Sequence, residues 1–483
     1  MTNLTDTATP SGEEFDLIII GAGSGNSLIS PEMDGWRIAV VERSTFGGTC
    51  LNRGCIPSKM LVYAADIAES AANPANATKY GVSTTFGGAD WPAIVERVFG
   101  RIDPIAEGGR QYRHSLPNVV VYEGDARFLG ERELLVNGTH IRGKRVVIAA
   151  GAQTFVPEIP GLDEVPFHTS DTILRIHRQP EHLLVLGGGF IATELGHVFR
   201  SLGSQVTMIN RGHHLLQAED HDVSRRFTTL AHERFDLVMG ARVRHISMTS
   251  TGIAVHLTDA SGDRVVEGDT LLVAAGRISN GCELGSEIAG VELDARGNVI
   301  VDAYGRTTAP NVWALGDVNG RHQLKHMANG EARVIQHNLL HPDHLRMFDQ
   351  RPAPHAVFTS PQIGAIGLTE TQARATGDPV CVISHDYAGA AYGWALEDTT
   401  SFCKLIGNPV TRTLVGVHII GYQASILVQL LVQGMHLGNT VDEMAIGQVW
   451  IHPALSEVVE QALLSLMDAF DAYSPDAPAG FTH

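Results

Sequence analysis

Short apolar runs that end on glycine set the rhythm of the chain. Phe15–Ile20 (FDLIII) runs into Gly21-Ala22-Gly23-Ser24-Gly25-Asn26, and Ile38–Val41 forms a second run that ends on Glu42. Branched aliphatics closed by a glycine turn read as parallel strands buried on both faces. The pattern then recurs. His182–Leu186 (HLLVL) leads into Gly187-Gly188-Gly189-Phe190-Ile191-Ala192, a helical stretch, and the run Val206–Ile209 before Asn210-Arg211. A later run follows each copy: Val146–Ala150 closing on Gly151 (VVIAAG), and Thr270–Ala275 closing on Gly276 (TLLVAAG).

A glycine turn between strand and helix aims backbone N–H groups at a bound pyrophosphate. One such match is an ordinary tight turn as readily as a site; two in the same strand–turn–helix context point to two dinucleotides. The copies differ. Glu42 places a carboxylate where a ribose hydroxyl would be held, which suits the adenosine half of FAD or NAD. Asn210-Arg211 offers no acid and one guanidinium, which suits the 2′-phosphate of NADPH, although Arg211 could equally be a solvated surface charge. The first copy is also two residues shorter between its turn and its second strand, and Pro31 and Gly35 interrupt its helical stretch. A proline inside a helix removes a hydrogen bond and clashes. The pattern therefore predicts a shortened helix ending before Pro31, with the pyrophosphate turn kept.

Beyond Val312 the chain reads as strand and turn (VWALGDVNG), then a helix over His326–Leu340. The stretch Arg351–Pro354 (RPAP) marks a boundary. Val380–Val417 alternates as antiparallel strands do, and apolar helices follow near Ala424–His436 and Leu455–Leu466. The 483 residues are 44% hydrophobic, enough for several cores. A net charge of −18 without a basic block argues against nucleic acid or an anionic membrane as partner. No apolar run approaches the roughly 18 residues of a membrane span. The opening MTNLTDTATPSGEEF lacks an apolar signal core. A cytoplasmic enzyme is the expectation.

Five cysteines are too few for a disulfide framework, yet two stand five apart, Cys50 and Cys55 in GGTCLNRGCIPSK. They could be metal ligands, a staple or a redox pair. Zinc wants about four ligands, and Cys282, Cys381 and Cys403 are scattered, so no metal site is expected. A redox pair beside a flavin fits these counts best. Residues five apart in a regular helix rise ~7.5 Å, whereas a disulfide needs Cα atoms within ~7 Å. A bridge would require a distorted first turn, which Gly54 and Pro57 permit. Gly47-Gly48 lets backbone approach a flat ligand, and the helix should run on through Lys59 to about Glu69.

That segment resembles the signature of the class I flavoprotein disulfide reductases, the family of glutathione reductase and dihydrolipoamide dehydrogenase. The resemblance runs from Glu14 to Met467 and includes both glycine turns, both AAG strands, ALGDV and a terminal His-Pro motif. It implies an α/β fold with two Rossmann-like domains, for FAD (14–165 and 286–350) and NADPH (166–285). A C-terminal α+β dimerisation domain (351–473) and loose tails (1–13 and 474–483) complete it. It implies a Cys50–Cys55 disulfide, with Cys50 as interchange thiol and Cys55 as the thiol facing the flavin. Lys59 would pair with Glu194 beside the flavin, and Asp317 would hold its ribityl chain. The helix near Met327 would aim its positive end at the isoalloxazine. Gly48, Thr49 and Gly316 complete the flavin contacts. His452 and Glu457, in WIHPALSE, would act as acid/base in the other subunit's site, making an obligate homodimer with shared active sites.

Further segments, among them GSGNS, FGRIDPIA, AYGWALEDT and QVWIHPALSEVVE, resemble the mycothione-reducing members of that family. They imply mycothione as the disulfide substrate; the alternatives are a dihydrolipoamide dehydrogenase or another low-molecular-weight disulfide reductase and, more remotely, a non-catalytic flavin-bound redox sensor. A neutral, hydroxyl-rich disulfide calls for polar and aromatic contacts, for which Tyr112, Arg113 and Trp394 are candidates.

Overall fold

The computed structural model describes residues 12–72 and 77–474. A five-stranded parallel sheet runs in the order 312–314, 146–148, 17–20, 38–42, 119–123. Leu17–Ile20 and Ile38–Glu42 are buried along their whole length, as a central parallel strand must be when both faces are covered. A second parallel sheet runs 236–238, 205–209, 182–186, 270–273. The strand 312–314, far along the chain, returns to complete the first sheet.

Each sheet places its glycine turn at the carboxyl end of its first strand, where open α/β sheets bind ligands. The second copy has the predicted helix, Phe190–Ser201, after its turn. The first does not. Instead of a shortened α-helix there is one 3-10 turn, Gly25–Leu28, then extended Ile29 and a second 3-10 turn, Pro31–Met33. Leu28 and Met33 are fully buried, so two apolar side chains fill the space a helix would occupy.

The C-terminal part is an antiparallel five-stranded sheet, in the order 355–357, 362–367, 413–421, 402–408, 381–386. Helices Ala424–Leu437 and Ser456–Asp471 bury their apolar stripes against it. Buried Lys404 on the 402–408 strand ties this part to the second dinucleotide unit. Its ammonium lies 2.8 Å from Asp220 and 2.7 Å from both Asp222 and Glu370. The helix Trp91–Ser115 was not anticipated; Asp90 caps it by accepting from Ala93 N. Among the described residues no helix is long and apolar enough to cross a membrane.

Candidate active site

The cysteine segment folds as two helices with a break between them. Gly48–Asn52 carries Cys50, Arg53 leaves helical geometry (φ −153°, ψ 18°), and Cys55–Ala72 begins on Cys55. This is the distortion the spacing demanded. Gly47 and Gly48 take positive φ, and a Cβ on Gly48 would come within 2.7 Å of Gly23 Cα, so the two glycine turns press backbone against backbone. Buried Asn52 fixes the turn by donating to the carbonyls of Phe46 and Gly48.

Both cysteines are free thiols, and their side chains hydrogen-bond each other. The bond from Cys50 stabilises the Cys55 thiolate; with the Lys59 charge it outweighs burial and brings the Cys55 thiol down to about 7. Cys50, as the donor, is pushed far up. The hydrogen bond therefore favours the proton on Cys50 and eases ionisation of Cys55. Elsewhere Cys403 is buried, which raises its thiol to about 12, and neither Cys381 nor Cys282 adjoins this pair.

Lys59, one helical turn past Cys55, puts Nζ 2.9 and 2.7 Å from the two oxygens of Glu194 on the Phe190–Ser201 helix. Glu194 also accepts from the backbone N of Phe358, and Lys59 lies over the Phe358 ring. Three segments therefore converge on one carboxylate. Farther along the same two helices, His197 Nε2 meets Asp66 at 2.9 Å, and Arg234 binds both His197 Nδ1 and Glu69.

A cavity of ≈ 620 Å³ joins most of these groups. Gly21, Gly23, Ser24, Glu42, Gly48, Thr49 and Gly151 line it. Cys50, Cys55, Lys59, Gly316 and Asp317 line it too, and Phe190, Ile191 and Glu194 reach it from the second unit. A Cβ on Gly21 would strike Ala149 O at 2.3 Å, so only glycine leaves this floor as bare backbone. Glu42 accepts from Ala22 N and Ser44 N and keeps spare lone pairs facing the cavity. Burial raises the Asp317 carboxyl, with Arg277 3.9 Å away opposing it. Glu331 pins the Asp317 turn by accepting from Gly316 N and Asn319. A cleft with a glycine floor, a ribose-type carboxylate and an adjoining dithiol fits a flavin dinucleotide.

Gly25, Asn26 and Met327 lie outside this lining. Gly25 packs on Ile19 and Ala149. Asn26 is turned away and receives Arg113 twice, at 2.5 Å on its side chain and 2.6 Å on its carbonyl. Arg113 is accordingly a buried brace for the shortened turn, not a substrate contact. Tyr112 and Trp394 point to solvent. The helix assigned to Met327 starts at Lys325, and it is Lys325 and Ala328 that face the cavity.

In the second unit Gly187 takes positive φ, and a Cβ on Gly188 would strike Asn210. A Cβ on Gly189 would meet nothing, so space is open at the N-terminus of the Phe190–Ser201 helix. Gly189 caps that helix without a side-chain bond, leaving first-turn N–H groups for an anion. Asn210 is spent on the carbonyls of Gly212 and His214. Arg211 is exposed and forms no ion pair among the described residues. Gly276 ends the adjoining strand with positive φ, opposite Phe155 N. The open helix end and the unpaired guanidinium fit a nicotinamide dinucleotide.

His452 is elsewhere in the chain and outside the cysteine cavity. Its Nδ1 lies 2.5 Å from Glu457, which also accepts from Ala454 N. The contact with His452 holds the Glu457 carboxyl below its usual range. The imidazole is 71% exposed, beside Val449 at 97% and Ile451 at 74%. Apolar side chains that bare, flanking an oriented histidine, mark a face made to be covered.

Two dinucleotide sheets that share a cleft with a dithiol define a flavin- and nicotinamide-dependent oxidoreductase. The sequence profile described as pyridine nucleotide-disulphide oxidoreductase matches residues 15–332, and that of the same family's dimerisation domain matches residues 353–463. The chain belongs to this family, and its cofactors are FAD and NAD(P)H. It is 47% identical over 464 residues to a mycothione reductase of Mycobacterium tuberculosis (strain ATCC 25618 / H37Rv), covering 94% of this chain and 100% of that protein. It is 31% identical to a mercuric reductase of Staphylococcus aureus, over 89% of this chain and 79% of the other. Among solved structures it is similar to the HOCl-induced flavoprotein disulfide reductase RclA from Escherichia coli. The TM-score there is 0.81 at 29% identity, covering 93% of this chain and 99% of that one.

The sequence did not single out Lys325, Arg277 or Phe358. Lys325 carried a signal, as one of only five lysines against thirty arginines. Arg277 and Phe358 carried none.

Proposed function

We propose that the protein is an NADPH-dependent reductase of mycothione that works through Cys50 and Cys55. The observation that carries the chemistry is the pair of adjoining thiols, Cys50 and Cys55, lining the same cavity as the Lys59–Glu194 ion pair. The 47% identity to a mycothione reductase along nearly the whole chain supports the substrate. Bare Arg211 beside an acid-free strand end supports NADPH over NADH.

FAD held by the Gly21–Ser24 turn, Glu42, Gly48, Thr49 and Asp317 would supply the two electrons, drawn from the nicotinamide, that open a Cys50–Cys55 disulfide. The residues then act in sequence. Lys59 holds the Cys55 thiolate by charge while Glu194 holds Lys59. Cys50 gives its proton to His452 of the partner subunit and attacks one sulfur of the substrate disulfide, forming a mixed disulfide and expelling the first thiolate. His452 of the partner subunit, oriented by Glu457, protonates that leaving group. Cys55 then attacks Cys50, restoring the protein disulfide and releasing the second thiol. Electrons balance, since two enter at Cys55 and two leave as thiols.

The domain limits follow the same reading. The FAD domain takes 14–165 and 286–350, supported by the return of strand 312–314 to the first sheet; 166–285 bind NADPH and 351–473 form the dimer face. The test is NADPH oxidation with mycothione, glutathione disulfide and lipoamide in parallel. Mycothione should give the highest kcat/KM; a higher value for either other disulfide would overturn the substrate assignment.

A further inference from the structure

Lys325 sits in the flavin cavity with no carboxylate in ion-pair contact among the described residues, although Asp317 feels its charge from farther off. Four of the five lysines hold carboxylates: Lys59 on Glu194, Lys79 on Glu397, Lys144 on Asp16 and Lys404 on Asp220. Lys325 holds only a hydroxyl, with Nζ 2.9 Å from Ser24 Oγ in a half-buried contact. An ammonium has three donors, so two remain for a ligand. A half-buried charge left without a counter-ion is costly unless something else supplies one.

Its location says what that is. Ser24 belongs to the glycine turn of the first unit. In the usual arrangement such a turn hands a diphosphate to the N-terminus of a full α-helix, worth about half a positive charge. Here the chain after the turn makes one 3-10 turn, leaves helical geometry at Ile29 and meets Pro31. The aligned dipoles are missing. Lys325 reaches the turn instead, as the first residue of the Lys325–Leu340 helix, and lines the same cavity. Arg113 braces Asn26, so the turn keeps its shape without the helix. Arg53 lines the cavity too, with one N–H on Ser44 and a buried Nε without a partner, but it is Lys325 that reaches the glycine turn itself, at Ser24.

We infer that Lys325 is the counter-charge for the FAD diphosphate, replacing the helix this chain has lost. A compact ammonium suits the task, as a point charge that need not match a planar partner. The inference rests on FAD occupying this cavity.

The test is fluorescence titration of flavin-stripped full-length protein with FAD and with riboflavin, which has no phosphate, at low and high salt. Lys325→Gln should weaken FAD about tenfold to a hundredfold, leave riboflavin unchanged and reduce the salt dependence of FAD binding. Circular dichroism and melting of the stripped forms check the fold, and Lys325→Met serves if the glutamine variant fails to fold. Unchanged FAD affinity, or an equal loss for FAD and riboflavin, overturns the inference. If the wild type itself does not take up FAD, the cofactor assignment falls instead.

Discussion

Lys59 and Glu194, 135 positions apart, meet through both carboxylate oxygens and so clamp the cysteine helix to the helix of the second dinucleotide turn. The Cys55 thiol feels both charges, with opposite sign: Lys59 lowers its pKa and Glu194 raises it. Lys59→Met should therefore move Cys55 titration up from about 7, and Glu194→Gln should move it down, each by about one pH unit. The pH dependence of alkylation of the reduced enzyme reads this directly. Shifts in the same direction would mean the pair acts on Cys55 only through the fold.

In the proposed mechanism His452 and Glu457 act only in the second half of the reaction. His452→Gln should lower turnover by about 10²–10⁴ and leave reduction of the enzyme by NADPH intact in stopped flow. Dissociated and re-mixed Cys50→Ser and His452→Gln subunits should recover about a quarter of wild-type turnover, because half the dimers would carry one intact site. No recovery would place both groups within one chain's site.

Arg211 has room for a phosphate and no competing acid. Arg211→Ala should raise KM for NADPH about tenfold to a hundredfold and leave KM for NADH unchanged. Steady-state kinetics with both nucleotides decides; equal effects on the two would remove Arg211 from 2′-phosphate recognition.

Lys404 gathers Asp220, Asp222 and Glu370 between two parts of the fold. Replacing it with methionine leaves Asp220 buried without its cation, at a cost of about 3 kcal/mol in denaturant unfolding. Burial alone would raise the carboxyls of Asp220 and Glu370, but hydrogen bonds dominated by Lys404 hold both low. Their contribution is present above the ordinary carboxylate pKa of about 4 and is lost as pH falls through the depressed values. Lys404→Met should therefore show a weaker loss of stability on acidification than the wild type. An unchanged acid limb would locate that pH dependence elsewhere.

What the sequence disclosed was local. LIII and HLLVL declare strands because full burial demands runs of aliphatics, and His452 and Glu457 stand only five positions apart. The Cys50–Cys55 break could be argued from helix rise alone. The Trp91–Ser115 helix was hidden because Gly100, Pro104, Gly108 and Gly109 break its pattern, yet packing and the Asp90 cap hold it. A short helix before Pro31 was expected, but buried Leu28 and Met33 hold a 3-10 path instead. Arg113 on Asn26 and Lys325 on Ser24 are 87 and 301 positions apart, and no periodicity reports such a pairing.

The central claim is that Cys55 carries the charge that faces the flavin while Cys50 meets the substrate. Anaerobic titration with NADPH, followed by visible absorption, tests it most directly. Wild type and Cys50→Ser should develop a long-wavelength thiolate-to-flavin band, and Cys55→Ser should not. A band that persists in Cys55→Ser, or is absent from the wild type, would contradict the account.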